Sequence, residues 1–309
     1  MTIAEADGMR LAYIAEATEG TTPATPAFQV LRYTSESLSS EKQTAISAEI
    51  RADKNVTDIL HTGFSIGGSL DGELVDGSYE DFMEAALRGT WSTDALINGI
   101  DRKSFTFEKT TEEGATDSYM RYRGCFIDGM RLAVAEGGIG TIGFDILGMG
   151  VDSGASAIIT GATYVAAGTT APMTGSDMGS IAVGGISTLN VIKGIDLTIA
   201  GNNREQRKLG SDDLAGVALG RIEVSGTLDL YFEGIEVYDA IIAHDTAALT
   251  FPIGSVTGQK YTITIPKMRL LTGDPISGGQ GQDVAFSVGF QGYYDSGIGG
   301  TIQIDRNVS

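Results

Sequence analysis

Between residues 66 and 87 the chain reads IGGSLDGELVDGSYEDFMEAAL, and the spacing of its apolar positions changes half-way along. Up to Leu74, apolar and polar residues alternate, the period of a half-buried β-strand. From Tyr79 the spacing becomes i, i+3, i+4, i+7, i+8, so Tyr79, Phe82, Met83, Ala86 and Leu87 form one stripe of a short helix. Ser78 is placed to cap it and Gly89 to stop it. A helix that short needs a sheet to lie on. The same change of period recurs at residues 224–244, VSGTLDLYFEGIEVYDAIIAH, where the stripe is Val237, Tyr238, Ile241 and Ile242.

A shift of 158 positions sets Gly68 on Gly226, Ser69 on Thr227, Leu70 on Leu228, Asp71 on Asp229 and Asp81 on Asp239. Three flanking blocks recur in the same order. VLR from Val30 matches VIK from Val191, FIDGMRL ending at Leu132 matches TIPKMRL ending at Leu270, and the strands TIGFDILG from Thr141 and DVAFSVGF from Asp283 follow glycine-rich turns. Four ordered echoes predict two copies of one unit, residues 26–150 and 181–295. Each opens on a strand (FQVLRYTSESLSS; LNVIKGIDLTIAG), passes through a long polar segment, and closes with the Gly-(Ser/Thr)-Leu-Asp strand, the helix and further strands. The expected fold is mainly β: two tandem sandwich or barrel units, each with one short flanking α-helix. Residues 151–180, rich in Gly, Ala, Ser and Thr, read as a linker or hairpin, and residues 1–25 and 296–309 as arms.

Composition agrees: 43 glycines and 6 prolines among 309 residues, with 42% hydrophobic positions, describe a turn-rich globular β-protein. No apolar run is long enough for a membrane helix, and the first twenty residues lack the basic-then-apolar layout of a signal peptide. The single Cys125 allows no intramolecular disulfide and fits a reducing cytoplasm. Charge changes the picture more. The net is −19, with 24 acidic and 12 basic residues up to position 150 and 16 and 9 after it, so the halves carry −12 and −7. An excess spread so evenly argues against binding nucleic acid through its phosphates, which needs clustered Lys and Arg. It fits either solubility or a surface that repels a polyanion.

Several patterns mimic chemistry and fail on context. The G-x-G-x-x-G at Gly138, Gly140 and Gly143 leads into a strand instead of the helix a dinucleotide site requires. The G-x-S-x-G around Ser65 also runs into a strand, so it is no nucleophile elbow. GGQGQDVAF from Gly278 is a single calcium-type nonapeptide where tandem copies are needed. His61 and His244 have no cysteine cluster for zinc. The glycosylation patterns at Asn55 and Asn307 mean little without secretion, and the acidic pairs Glu80–Asp81 and Glu112–Glu113 read as solvated faces. No catalytic, cofactor or metal residue is assigned.

The stretches LAYIAEATEGTTPATPAFQVLRYTSESLSSEKQTAISAEIRADKNVTDIL and FSIGGSLDGELVDGSYEDFMEAALRGTW, residues 11–91, resemble the tail tube proteins (major tail proteins) of long-tailed, siphovirus-type bacteriophages, the kind with a duplicated tube domain. The resemblance implies tail-tube β-domains, no enzymatic activity and no cofactor. It implies homotrimeric, pseudo-hexameric rings stacked into a tube in the virion, assembled in the host cytoplasm, through which DNA passes without specific binding. It further implies partners at the tube ends and inside it: tape measure protein, tail terminator and distal tail protein, with no membrane. The polar segments would make inter-ring contacts through Glu41, Lys42, Arg51, Asp53, Lys54, Asn55 and Asp58 in the first copy and Arg204, Arg207 and Lys208 in the second. Asp71, Glu73 and Asp229 are the candidate acids of the lumen. The second copy lacks the IRADKNV wording, so its contacts are expected to differ. Another virion β-protein (a tail terminator, sheath component or capsid decoration protein) stays open, separated by self-polymerisation. So does a carbohydrate-binding or hydrolytic sandwich, against which the single Trp91 and 7% aromatics weigh.

Overall fold

A computed structural model describes residues 5–112, 116–184, 191–277 and 279–307. The first half carries β1 (Met9–Ala15), β2 (Ala27–Val30), β3 (Ser35–Glu36), β4 (Ser39–Ile46), β5 (Ile59–Glu73), α1 (Glu80–Leu87), β6 (Ala95–Ile97), β7 (Phe105–Glu112), β8 (Asp117–Ala135) and β9 (Thr141–Gly148). Then follow β10 (Gly150–Val151), β11 (Thr163–Val165) and β12 (Ala182–Gly184). The second half carries β13 (Ile192–Ala200), β14 (Arg204–Gln206), β15 (Gly216–Ala218), β16 (Glu223–Tyr231), α2 (Glu236–Ala243), β17 (Thr246–Ile253), β18 (Tyr261–Thr272), β19 (Ile276–Ser277), β20 (Val284–Gly292) and β21 (Gln303–Arg306). The fold is mainly β, as the sequence pattern predicts.

Six strands from both halves form one antiparallel sheet in the order β5, β9, β8, β13, β16, β20. The β8–β13 ladder, from Ala135 opposite Gly194 to Gly129 opposite Ala200, is the joint between the halves. β8 serves two layers. Its first part pairs with β7 up to Cys125, and from Phe126 onward it pairs with β9. The change falls beside Gly124, which sits at φ 61 and whose added Cβ would meet the Met149 side chain at 2.7 Å, so only glycine suits the bend. β7 continues outward to β1 and β2, and β12, β17, β18 and β21, joined by β6 of the first half, make the other outer layer.

The repeated Gly-(Ser/Thr)-Leu-Asp motif has a packing cause. A Cβ on Gly68 would lie 2.5 Å from the Ser37 carbonyl oxygen, and one on Gly226 2.2 Å from that of Asp196. The glycine is where the opening strand of each half crosses in contact. Two residues on, Leu70 and Leu228 drop into the core, and the following aspartates face out. α1 then lays its stripe on the sheet. Phe82, fully buried, meets the rings of Tyr13, Phe105 and Phe144 at 4.5, 5.2 and 5.4 Å. Burying each such side chain contributes about 1.5–3 kcal/mol.

Where the structure differs from the sequence pattern, contacts explain the difference. The helix begins after Tyr79 and ends at Arg88, which takes the left-handed cap position (φ 53) ahead of Gly89. Residues 1–25 are more than an arm: β1 buries Leu11, Ala12 and Tyr13 and pairs with β7 over seven residues. Residues 296–309 likewise include β21, with Ile302 and Ile304 buried and β18 and β6 on either side. In 151–180 there is no hairpin, because β11 lies parallel to β2, with Tyr164 stacked on Phe28 at 5.6 Å. The FIDGMRL and TIPKMRL echo is offset by five residues. Leu270 pairs with Phe290 and so stands where Ile127 stands opposite Ile146, while the place of Leu132 falls near Pro275. The Gly273-Asp274-Pro275 break between β18 and β19, both of which pair with β20, accommodates the slip.

Candidate functional site

Strand alternation divides the six-stranded sheet into a core face and an open face. Ile142, Phe144, Met130, Leu132, Leu197, Ile199, Leu228 and Phe286 point into the core. The ladder register sets the open face in rows. One runs Asp71, Gly143, Arg131, Thr198, Ser225, Gln291, and the next Glu73, Thr141, Ala133, Asp196, Thr227, Gly289. On either side lie Ser69, Asp145, Gly129, Ala200, Glu223 and Ala135, Gly194, Asp229, Ser287. Apart from the charged positions these are mostly Gly, Ala, Ser and Thr, so the face is smooth and offers little apolar grip. Two shallow hollows, about 460 and 360 Å³, lie along it.

Six carboxylates stand on this face: Asp71, Glu73, Asp145, Asp196, Glu223 and Asp229. The cations are Arg131, which forks onto Asp145 at 2.6 Å and reaches Asp71 at 3.6 Å, Lys193, whose Nζ lies 4.7 Å from the Tyr231 ring centre, and Arg221, whose Nε donates to Glu223 at 3.1 Å. Six acids against three cations leave −3. The Arg131 pairs are 41–46% exposed and contribute little stability. They raise the affinity of that guanidinium for its proton, chiefly through the Asp145 hydrogen bond.

All three acids assigned to the lumen, Asp71, Glu73 and Asp229, share this face. Asp145, Asp196 and Glu223 were missed, although alternation alone marks two of them: Asp145 sits between Phe144 and Ile146, and Asp196 between Ile195 and Leu197.

β4 and the first part of β5 leave the sheet as a two-stranded hairpin, pairing from Ser39 opposite Gly67 to Ile46 opposite Ile59. Glu41 and Lys42 lie on its outgoing strand, and Arg51, Asp53, Lys54, Asn55 and Asp58 in the exposed tip. The Arg51 guanidinium binds Asp53 through two hydrogen bonds of 3.0 and 2.9 Å, which hold that carboxyl down at about 2. Ile46, Ile50, Val56, Ile59 and Leu60 are all more than half exposed on the hairpin, an apolar surface of the kind that marks contact sites. Arg204, Arg207 and Lys208 sit on β14 and the turn after it, all exposed. That segment touches the foot of the hairpin: the Ser65 hydroxyl donates to Glu205 at 3.3 Å and the Phe64 amide to the Asp212 carbonyl at 3.2 Å. The fold thus brings the two long polar segments together.

The motifs that mimic chemistry are spoken for. Gly138 and Gly140 make the β8–β9 turn, with Gly143 inside β9, and Ser65 lies within β5. His61 hydrogen-bonds the Gly63 carbonyl, and burial pushes the Cys125 thiol up. Gly278 and Glu113 lie outside the described residues. Among the described residues no cluster of three or more His, Cys, Asp or Glu side chains could hold a metal, and no helix is long and apolar enough to cross a membrane.

The chain is a member of the phage tail tube protein family, whose model matches residues 7–292. The family makes it a structural component of the virion that self-assembles into a tube. No curated protein matches the chain.

Proposed function

We propose that the acidic sheet face lines the lumen of a siphovirus-type tail tube and that DNA passes along it into the host cell. The two halves act as tandem tube domains, so that three chains close a pseudo-hexameric ring. The β4–β5 hairpin, with the β14 segment at its foot, makes the contacts between stacked rings. The tape measure protein occupies the lumen before ejection, and the tail terminator and distal tail protein close the ends.

The observation that carries this reading is the open face itself, where six carboxylates stand among small side chains on one continuous sheet spanning both halves. Phosphates are repelled within about 8 Å of such a wall at physiological salt, and Gly, Ala, Ser and Thr leave little for bases to stack on besides the Tyr231 ring beside Lys193. Asp196→Lys, Glu223→Lys and Asp229→Lys introduced together into the phage should leave tubes visible by electron microscopy and slow DNA ejection several-fold. Unchanged ejection kinetics from intact tubes would remove the repulsive role of this face.

A further inference from the structure

The β8–β13 joint is built from two sheet edges that meet inside one chain. Each half also carries the edge that the other half used. Beside β5, the place that β13 takes beside β16 is filled by β3 and the start of β4. Ser35 faces Asp71, Glu36 faces Leu70 and Ser39 faces Gly67, as Gly194 faces Asp229, Ile195 faces Leu228 and Thr198 faces Ser225. Beside β20, the place of β8 is filled by the end of β18 and by β19. Leu270 faces Phe290 and Ile276 faces Ala285, as Ile127 faces Ile146 and Ala133 faces Thr141. Among the described residues, the outer sides of β3 and of β19 pair with no strand.

The surroundings of these two edges fit each other. A cleft of about 650 Å³ flanks β3, lined by Met9, Leu31, Arg32, Tyr33 and Glu36. On the opposite side of the molecule the second half is bare where the first is covered. α1 is roofed by elements of the second half: Arg88 donates to the carbonyls of Gly201 and Gly220 and, at 2.9 Å, to Asn203 Oδ1. α2 leaves Ile235 and Ile242 exposed at 59% and 69%, and on β19 Ile276 is exposed at 67%.

The hydrogen-bond pattern is complementary as well. The Ser37 amide turns inward to the Ser69 carbonyl, so Leu38 turns its own polar groups outward. Its carbonyl already accepts from Lys109 Nζ at 3.0 Å and its amide donates to Glu36 at 3.0 Å. In the β8–β13 register Leu38 would face Pro275, which has no N–H to offer.

From these observations we infer that the β18–β19 edge of one chain adds to the β3–β4 edge of a second copy of this chain, antiparallel and in the β8–β13 register. Ser37 then lies opposite Ile276, and Ser39 opposite Asp274, as Asp196 lies opposite Ala133 and Thr198 opposite Arg131 within the chain. The contact is head to tail, each chain offering one edge of each kind, so it repeats around a ring and leaves no open edge. It rests on the ring reading above and specifies which strands close the ring.

The test is a mixture of two full-length variants, Ser37→Cys and Ile276→Cys, under oxidised glutathione. Cys125 is buried and stays out of the reaction. Ser37 and Ile276 would form a non-hydrogen-bonded pair, Cα atoms about 4.5 Å apart, within disulfide reach. A covalent two-chain band in the assembled mixture, absent from either variant alone, is the expected result. Ser39→Cys with Asp274→Cys should give the same band, and Ala133→Cys with Asp196→Cys in one chain should close without a mass change. Tubes or rings in the micrographs with neither cross-chain band, while the in-chain pair closes, would overturn this pairing and leave the ring reading standing. Wild-type protein that forms no ring or tube, alone or with phage assembly factors, would overturn both.

Discussion

Two residues occupy the same local geometry and do opposite things with it. Arg88 and His244 each follow an eight-residue helix in the left-handed region, at φ 53 and 56. That conformation costs a residue with a Cβ about 1 kcal/mol relative to glycine. At Arg88 the cost is offset, because the buried guanidinium satisfies two carbonyls and Asn203 across the joint between the halves. At His244 the side chain is exposed, while its amide donates to the Ile241 carbonyl at 3.2 Å and its carbonyl accepts from Arg269. Arg88→Ala should therefore lose about 2–4 kcal/mol by chemical denaturation, as charged hydrogen bonds at a buried site are removed. His244→Gly should gain about 0.5–1 kcal/mol in the same measurement. Equal and small effects at both positions would show that Arg88 does not hold the joint.

At the scale of elements, the segment between the halves is fastened by a buried charge pair as well as by the β11–β2 pairing. Glu108 on β7 is fully buried. It accepts from Arg121 Nε at 2.7 Å and from the Tyr164 hydroxyl of β11 at 2.5 Å, and burial with that bond pushes the Tyr164 hydroxyl pKa up. Glu108→Gln keeps the shape but leaves the Arg121 charge without its counter-charge, which should cost about 3–5 kcal/mol. Amide exchange around β11 should rise by more than the global loss of stability accounts for, and unchanged local protection would separate β11 from the pair. This fastening was not legible in the sequence, where residues 151–180 look like a polar linker. The same holds for β1 and β21, whose apolar runs are short and sit near the chain ends. What was legible had a strong period or a repeated word: the α1 stripe, all of it buried, and the Gly-(Ser/Thr)-Leu-Asp strand that places Asp71 and Asp229 on one face. Strand partners 59 to 71 residues apart leave no such mark. The β8–β13 joint therefore emerged only from the folded chain.

For the whole molecule, that joint gives folding a pH dependence. The Asp128 carbonyl and carboxylate accept from the Gly201 and Asn203 amides at 2.5 and 2.7 Å. Burial raises the pKa of its carboxyl, and the nearby Asp145 charge adds to this, against the Asn203 amide and Arg88. A carboxyl raised in the fold contributes full stability below its unfolded value near 3.9 and loses it as pH climbs through the folded value. Asp128→Asn keeps an acceptor for Asn203 and removes the titration. Its stability relative to wild type should improve between pH 4 and pH 7, read as the shift in denaturation midpoint. A constant difference across that range would assign the pH dependence elsewhere.

β8 has a further consequence, a mechanical one. Because this single strand runs from the outer layer into the six-stranded sheet and then borders β13, a pull on either half is passed along a covalent backbone before it reaches a hydrogen bond. The seven-residue β8–β13 ladder lies along that pull, so its bonds share the load in shear instead of opening one at a time from an end. The long strand acts as the tie-rod of the molecule.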